Sequence, residues 1–280
     1  MPSRRTPPRL LTIAGSDSGG GAGIQADLKT FAAHGAYGMS AIAALTAQNT
    51  RGVRAVLETP PDFVAAQIDA VFEDIGVDAV KIGMLANAPV VRTVADRLRW
   101  WLERAPAPVV LDPVMIAKSG HPLLRDDAVE ALIEDLVPLA TLVTPNVPEL
   151  ERMTGLPAAS EEDRLRAAVE LAARGPAVLA KGGHAGGEEI VDLLVESDGA
   201  VHRLQHPRIA TSSTHGTGCT LSSAIAARLA RGEDLAAAVG GAVAWLHAAL
   251  TAAYPLGSSD LSHGPVDHLH ELFGKEEEEA

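Results

Sequence analysis

The chain has 280 residues, of which 47% are hydrophobic and only 3% are aromatic, and its formal net charge at pH 7 is −13. This length and apolar content allow a large core built mostly from Ala, Val, Leu and Ile. The sequence shows no sign of the basic face that is typical of nucleic-acid-binding proteins, and an acidic protein that binds a polyanion needs local donors and a metal ion. The single cysteine excludes an internal disulfide framework, which favours a reducing compartment.

No segment has the pattern of a signal peptide or of a membrane span. Residues 1–10 include basic side chains, but no long apolar run follows them. No stretch of 18 or more uncharged apolar residues occurs. We therefore predict a cytoplasmic protein without a membrane or nucleic-acid partner. We also predict a flexible leader over residues 1–9, one domain over residues 10–272 and an acidic tail over residues 273–280.

Apolar periodicity predicts strands and helices that alternate along the chain. Residues 52–58 could form either an edge strand or a lid. The predicted strands are 10–14, 37–48, 52–58, 79–85, 109–114, 142–144, 177–181, and a hairpin of 190–195 and 201–204. The predicted helices are 24–34, 62–74, 90–104, 126–136, one that begins at Ser160, 218–230 and 235–253.

This alternation, with nearly continuous apolar strands, predicts an α/β fold with a mostly parallel sheet that helices cover on both faces. In such sheets ligands bind beyond the carboxyl ends of the strands. We therefore expect a site where small and polar residues follow the predicted strands. These residues are Gly15, Gly83, Asp112, Asn146 and Gly182.

The segment 214–220, Thr-His-Gly-Thr-Gly-Cys-Thr, precedes the predicted helix 218–230 and overlaps its start. Its two glycines allow a sharp turn and a close approach of the backbone to a ligand. The first turn of the helix presents free N–H groups at its positive end, which suits a phosphate group. A bare Gly-x-Gly before a helix is more often an ordinary helix start, so the wider sequence must decide.

The motif His-Gly-Thr-Gly-Cys at 215–219 resembles the branch of the ribokinase-like superfamily that phosphorylates hydroxymethylpyrimidine and vitamin B6 compounds. Most of that superfamily has Asp at the position of Cys219. Further segments match the hydroxymethylpyrimidine/phosphomethylpyrimidine kinase family in order between about residues 10 and 270, which is more specific than any one motif. They are 14–30, 46–50, 81–85, 111–115, 144–149 and 181–184.

The resemblance implies a ribokinase-like three-layer α/β/α fold and an ATP-dependent phosphotransferase that uses Mg²⁺. The implied substrates are 4-amino-5-hydroxymethyl-2-methylpyrimidine and then its monophosphate, which becomes the diphosphate used in thiamine biosynthesis. The resemblance also implies a homodimer.

For the substrate, the resemblance implies that the Gln48 side-chain amide reads the aminopyrimidine, since an amide offers a donor and an acceptor side by side. From the residues alone, Gln48 could be a polar strand end, Met84 could be core packing, and Asp27 could stabilise the start of a helix. The other implied pocket residues are Gly15, Asp27, Met84 and Val114.

For the phosphates, the resemblance implies a backbone anion hole at Gly216, Thr217 and Gly218. It implies ATP contacts from Lys181, Asn146, Asp112 and Thr214, and a magnesium site at Glu149 and Asp112. Asn146 and Glu149 also have the spacing of a helix-capping box, and both interpretations can hold together. Lys181 could instead be an exposed lysine at a strand end.

Cys219 corresponds to the catalytic base of the superfamily. At a helix N-terminus we expect its thiol pKa to fall below about 8.5. Because phosphoryl transfer has a loose transition state that needs little base assistance, we hypothesise that Cys219 accepts or relays the alcohol proton. The alternative is a thiol that only packs.

Two other functions remain open. A pyridoxal or pyridoxine kinase of the same branch would act on a similar flat ring, although Gln48 suits an aminopyrimidine better. A catalytically silent pyrimidine-binding regulator is disfavoured by the intact Lys181, Glu149 and residues 215–219.

Residues 50–58 and 117–124 are candidate lids. The sequence contains neither a P-loop nor the Gly-x-Gly-x-x-Gly spacing of a dinucleotide site, and the histidines lack zinc-site spacing.

Overall fold

A computed structural model describes residues 6–116, 123–183, 186–258 and 263–273. Its strands are β1 (Arg9–Asp17), β2 (Tyr37–Asn49), β3 (Gly52–Glu58), β4 (Ala79–Ile82), β5 (Val109–Leu111), β6 (Leu142–Val143), β7 (Ala177–Ala180), β8 (Glu189–Val195) and β9 (Val201–Pro207). Its α-helices are α1 (Gly23–Ala33), α2 (Pro61–Asp74), α3 (Ala88–Leu102), α4 (Asp126–Ala131), α5 (Val147–Thr154), α6 (Glu161–Ala172), α7 (Thr217–Leu229), α8 (Leu235–Thr251) and α9 (His270–Phe273).

The strands of the described residues form one sheet in the order β3-β2-β1-β4-β5-β6-β7-β8-β9. The strands from β2 through β7 in that order run parallel, and β3, β8 and β9 are antiparallel to their neighbours. The predicted mostly parallel sheet is therefore confirmed. The parallel strands end at one edge, where β1 changes its register with β2 between Ala14 and Gly15.

Alternating side chains of each strand bury against helices on opposite faces of the sheet. Leu11 and Ile13 of β1 belong to the core that α2, α3, α5 and α6 cover. Leu10 of the same strand belongs to the second core, under α1, α7 and α8. The layers are thus helix, sheet and helix. Many residues of α7 and α8 in this second core are alanines, which let the helices approach the sheet closely.

The structure differs from the predicted elements in a few places. Helix α5 was not among the predicted helices, although its capping box at Asn146 and Glu149 was. Its eight residues start directly after Asn146, with Pro in the first turn. The predicted helix 126–136 is α4, followed by a π-helical turn over Leu132–Leu136 and a 3-10 turn over Val137–Leu139. Arg9 was assigned to the leader, but it begins β1 because its backbone N–H and guanidinium both bond to Asp78.

Some predictions fall outside the described residues. They are most of the leader (1–5), nearly all of the tail (274–280), most of the second candidate lid (117–122) and His184 of the segment 181–184. In the first candidate lid, residues 52–58 form the edge strand β3. Of the helices that the structure describes, none is both long and apolar enough to pass through a bilayer.

Candidate active site

A cavity of about 800 Å³ opens at the carboxyl edge of the parallel strands. Every residue to which a catalytic, substrate, ATP or metal role was predicted lines it, except Asp27. The lining includes Gly15, Gln48, Met84, Asp112, Val114, Asn146, Glu149, Lys181, Thr214, Gly216, Thr217, Gly218 and Cys219. Gly83 and Gly182 of the predicted edge lie behind the wall, where their N–H groups bond to Ile13 and Asp192.

The turn that precedes α7 is held against the Gly-rich loop at residues 18–22, which connects β1 to α1. Gly216 is the residue before the helix and has a φ of 79°, a left-handed conformation that favours glycine. A Cβ at this position would lie 1.8 Å from the carbonyl oxygen of Gly21. No described side chain caps the first turn of α7, and the buried Thr214 Oγ1 has no described hydrogen-bond partner. The Thr217 N–H makes a long bond of 3.4 Å to the Thr214 carbonyl oxygen. The N–H groups of Gly218 and Cys219 and the Thr214 hydroxyl are available to an anion in the cavity.

A lysine and an aspartate lie beside this turn. Lys181 Nζ is 3.1 Å from Asp112 Oδ1, which also accepts a hydrogen bond from Thr144 Oγ1 at 3.0 Å. Lys181 Nζ and Asp112 Oδ2 each lie 3.4 Å from the position of a Cβ at Gly218. Burial alone would lower the pKa of Lys181, but the charges of Asp112 and Glu149 raise it above its usual value. A cation therefore stands at the N-terminus of α7.

Asn146 and Glu149 form the predicted capping box. The Asn146 backbone N–H donates to Glu149 Oε2 at 2.8 Å, and the Glu149 N–H donates to Asn146 Oδ1 at 3.0 Å. The carboxyl of Glu149 also faces the cavity. Burial raises its pKa to about 7, Asp112 adds to the rise, and Lys181 partly offsets it. A divalent cation would remove this unfavourable charge arrangement.

The pair Asp112 and Glu149 fits Mg²⁺, which takes oxygen ligands, keeps several waters and often uses only one or two carboxylates together with substrate phosphates. Among the described residues, no group of three or more His, Cys, Asp or Glu side chains could hold a metal. Phosphate oxygens and water would therefore complete the coordination.

Cys219 lies in the first turn of α7 and is half-buried. Burial raises the pKa of its thiol to about 11, Asp27 and Asp112 raise it further, and Lys81 partly lowers it. The expectation of a lowered thiol pKa is therefore wrong. Desolvation and the two carboxylates outweigh the opposing effects of Lys81 and the Gly23 N–H, and the thiol is protonated at neutral pH.

Asp27 does not line the cavity, contrary to the prediction of a substrate contact. It is fully buried and lies 2.8 and 2.9 Å from Lys81 Nζ. It also accepts hydrogen bonds from Thr12 Oγ1 at 2.6 Å and Ser223 Oγ at 2.8 Å. The partners of the Asp27 carboxylate are therefore other side chains of the protein, in a place where it does not face the cavity. Lys81, to which the sequence assigned no role, is the member of this group that reaches the cavity wall.

An apolar wall lies opposite the charged groups. Met84 packs with Ala44 and Ala86, against which Val114 also rests. A Cβ at Gly15 would lie 3.0 Å from Met84 Sδ, so Gly15 leaves room for this side chain. Met84 thus packs in a small cluster and also faces the cavity, and both interpretations of it hold.

Gln48 stands at the end of β2, between two polar partners. Its Oε1 lies 3.1 Å from Thr46 Oγ1, and its Nε2 lies 3.3 Å from His215 Nε2. His215 Nε2 is also 2.9 Å from Asp17 Oδ2. No individual role was predicted for Asp17 or His215. In the sequence they are only polar residues inside two of the segments that match the family, 14–30 and 215–219.

Comparison with known proteins identifies the family. A model of the phosphomethylpyrimidine kinase family matches residues 17–267. The chain belongs to this family. It is 54% identical over 262 residues to hydroxymethylpyrimidine/phosphomethylpyrimidine kinase of Rhizobium meliloti, a match that covers 93% of this chain and 96% of that protein.

Solved structures agree with this family. Phosphomethylpyrimidine kinase of Clostridium difficile is 46% identical, with a TM-score of 0.76 over 86% of this chain and 98% of that one. Pyridoxal kinase of Bacillus subtilis, solved as an ADP complex, is 36% identical, with a TM-score of 0.85 over 94% of this chain and 98% of that one. The fold is therefore the expected ribokinase-like three-layer α/β/α arrangement, and the protein is a kinase, a phosphotransferase.

Proposed function

We propose that this phosphomethylpyrimidine kinase family member transfers the γ-phosphoryl group of ATP to the hydroxymethyl group of 4-amino-5-hydroxymethyl-2-methylpyrimidine. It then phosphorylates the monophosphate to the diphosphate for thiamine biosynthesis. One observation carries the proposal. The same cavity holds an uncapped helix N-terminus, the Lys181–Asp112–Glu149 charge cluster and the Gln48 amide.

The phosphates would lie between Lys181 and the backbone N–H groups of Gly216, Thr217 and Gly218. The Thr217 N–H would exchange its long bond of 3.4 Å to the Thr214 carbonyl oxygen for a phosphate oxygen. These donors are fixed before the reaction and face the place where negative charge develops on the moving phosphoryl group. Asp112 and Glu149 would hold Mg²⁺, which screens the phosphate charge when it is bound. The hydroxyl of Thr214 would donate to a phosphate oxygen, because it is buried with no described partner.

The acceptor ring would lie against Met84 and Val114 and be oriented by Gln48. Its hydroxymethyl oxygen would then point to the turn before α7, in line with the phosphorus. Because the Cys219 thiol is neutral, we propose a relay role for it. The sulfur takes the alcohol proton as the O–P bond forms, and the S–H proton passes to an oxygen of the transferred phosphoryl group.

The second candidate is a pyridoxal kinase, favoured by the TM-score of 0.85 to the Bacillus subtilis enzyme. The higher identity to phosphomethylpyrimidine kinases favours the aminopyrimidine. So does Gln48, because pyridoxal has no ring nitrogen beside an exocyclic amine for the amide to read. A silent pyrimidine-binding regulator is disfavoured, because a protein that only binds does not need the Lys181–Asp112–Glu149 cluster.

A coupled assay of ADP release tests the proposal, with MgATP and either the aminopyrimidine or pyridoxal as acceptor. We expect kcat/KM to be higher for the aminopyrimidine, and EDTA to abolish turnover. Activity on pyridoxal with none on the aminopyrimidine would reject the first candidate. The homodimer implied by the resemblance remains a prediction, which sedimentation velocity can check.

A further inference from the structure

We propose that Asp17 and His215 fix the orientation of the Gln48 side-chain amide, and thereby determine which way round the pyrimidine ring lies in the cavity. Both are positioning residues that act through Gln48. The inference rests on the proposed function, because it concerns how the aminopyrimidine is read.

The first constraint comes from Asp17. Its carboxylate is 2% exposed and accepts hydrogen bonds from the backbone N–H groups of Gly19, Gly21 and Ala22 at 2.8 to 3.0 Å. Burial alone would raise the pKa of Asp17, but His215 and the N–H groups of Gly19 and Ala22 lower it below its usual value. An ionised carboxylate can only accept hydrogen bonds. His215 Nε2, at 2.9 Å from Oδ2, must therefore carry a hydrogen.

The second constraint comes from Thr46. Its hydroxyl donates its single hydrogen to the carbonyl oxygen of Ser16 at 2.8 Å, and a carbonyl oxygen can only accept. The Thr46 oxygen therefore presents a lone pair to the nearer end of the Gln48 amide, at 3.1 Å. This end of the amide must be the donor.

Both constraints select the same orientation of Gln48. The NH₂ end faces the lone pair of Thr46, and the carbonyl oxygen faces the N–H of His215, whose hydrogen is shared with Asp17. The opposite orientation would bring two donors together at His215 and two acceptors together at Thr46. This assignment exchanges the positions that Oε1 and Nε2 have in the structure, where Oε1 is at Thr46 and Nε2 is at His215. The exchange follows from the hydrogen-bond partners of each group, which decide the orientation of a side-chain amide. It leaves one N–H and one lone pair of Gln48 for a ligand, since Gln48 lines the cavity.

The orientation of the amide determines the orientation of the ring. The ring nitrogen N3 must accept from the Gln48 NH₂, on the side of Thr46, and the 4-amino group must donate to the Gln48 oxygen, on the side of His215. The 5-hydroxymethyl group is next to the amino group and on the far side from N3. It therefore lies toward His215 and the adjoining anion turn at Gly216. The reversed ring would place the alcohol on the side of Thr46.

The test compares two acceptors that differ only in their hydrogen-bonding edge. The 4-oxo analogue of the substrate has an N3–H donor and a carbonyl acceptor, which is the reverse of the 4-amino compound. We expect the parent protein to prefer the amino compound in kcat/KM by at least about 100-fold.

Two variants test the positioning residues. In Asp17→Asn the histidine can lose its Nε2 hydrogen, and in His215→Asn the imidazole N–H donor to Gln48 is removed. In each variant we expect this preference to fall at least about tenfold, because the amide can then turn.

A matched control is Asp192→Asn. Asp192 is also buried and is also paired with a histidine, at 3.3 Å from His206 Nε2, but neither residue lines the cavity. We expect this variant to leave the preference for the amino compound unchanged, even where it changes the two rates together. Calorimetric Kd values replace kcat/KM where turnover of the oxo compound is too slow to measure.

The two hypotheses fail separately. If the parent protein does not phosphorylate the amino compound, the proposed function fails and this inference fails with it. If the parent is active and both variants lose activity equally on the two compounds, Asp17 and His215 only support the loop, and this inference alone is overturned. If Asp17→Asn does not fold, the preference of His215→Asn decides.

Discussion

The environment of Cys219 determines when its thiol can ionise. It is the single cysteine of the chain, so a thiol reagent reports on this position alone. Because burial and two carboxylates raise its pKa to about 11, little thiolate exists at neutral pH. We expect the rate of alkylation by iodoacetamide to rise about tenfold per pH unit from pH 7 to pH 10 without a plateau.

The measurement follows alkylation by intact mass, with Cys219→Ala as the unreactive control. A plateau of the alkylation rate near pH 8.5 would show a thiol with an ordinary pKa. Cys219 could then act as a base, and the reason to propose a proton relay would be lost. MgATP should slow the reaction, because the sulfur lines the proposed phosphate site.

Glu149 makes the free energy of unfolding depend on pH. Its pKa is about 7 in the folded protein, whereas an unfolded glutamate titrates near 4.3. Between these values the unfolded chain loses this proton and the folded protein keeps it, so this residue makes the folded state less stable as pH rises. Relative to Glu149→Gln, we expect the parent to lose on the order of 3 kcal/mol between pH 4.5 and pH 7.5.

Urea denaturation of both proteins in EDTA checks this difference. The glutamine retains an oxygen for the Asn146 N–H, so the capping box is preserved in the control. We expect Glu149→Gln to be more stable at pH 7.5 and much less active. A stability difference that does not change with pH would contradict the buried, protonated carboxyl.

At the residue scale, the motifs predicted most of the candidate site, because matching residues fall at strand ends that meet at one edge. The motifs could not show which groups a side chain forms its hydrogen bonds with. Asp27 was predicted to contact the substrate, yet it pairs with Lys81, 54 positions away. A lysine inside the apolar strand 79–85 was a missed signal, since a buried lysine requires a partner.

At the scale of elements, the turn before α7 depends on Gly216. An alanine there would combine a left-handed φ with a Cβ 1.8 Å from the Gly21 backbone oxygen, so the turn must move away from the loop. We expect Gly216→Ala to lower kcat at least about 100-fold, comparable to the loss of an oxyanion-hole donor.

Gly232 offers a matched control because it has a φ of 82° but no atom of the described residues within 4 Å of a Cβ. Gly232→Ala should cost about 1 kcal/mol of stability from its backbone conformation and leave kcat unchanged. Steady-state kinetics on both variants makes the comparison. Equal activity of the two would mean that the close contact between the turn and the loop does not position the phosphate donors.

The elements themselves could be predicted where apolar periodicity is strong, as in α7 and β2. Helix α5 has only eight residues, too few to show a period, although its capping box was recognised. The π-helical turn at Leu132–Leu136 has no sequence signal, because it depends on how the chain packs after α4.

At the scale of the whole molecule, α/β alternation predicted the layers but not the strand order, because strand order depends on contacts between distant segments. One such contact is the buried group around Asp27, which joins four elements. Thr12 of β1, Asp27 of α1, Lys81 of β4 and Ser223 of α7 meet there. The group therefore connects the sheet to the helices on one of its faces.

Removal of one charge from this group should unfold the protein much more easily. In Lys81→Met the Asp27 carboxylate stays buried without a counter-charge, which we expect to cost about 3–5 kcal/mol of stability. Adding Asp27→Asn removes the unpaired charge and still offers hydrogen bonds to Thr12 and Ser223. The double variant should therefore recover at least half of the loss.

The pair Arg9 and Asp78 is the matched control, because its side chains are 37% and 33% exposed. We expect Asp78→Asn to cost about 1 kcal/mol or less, since water screens an exposed ion pair. Chemical denaturation of the parent and these three variants at pH 7 separates these effects. If Lys81→Met cost no more than Asp78→Asn, the buried charges could not hold the sheet and helices together. If the double variant were less stable than Lys81→Met, the unpaired carboxylate could not be the source of the loss.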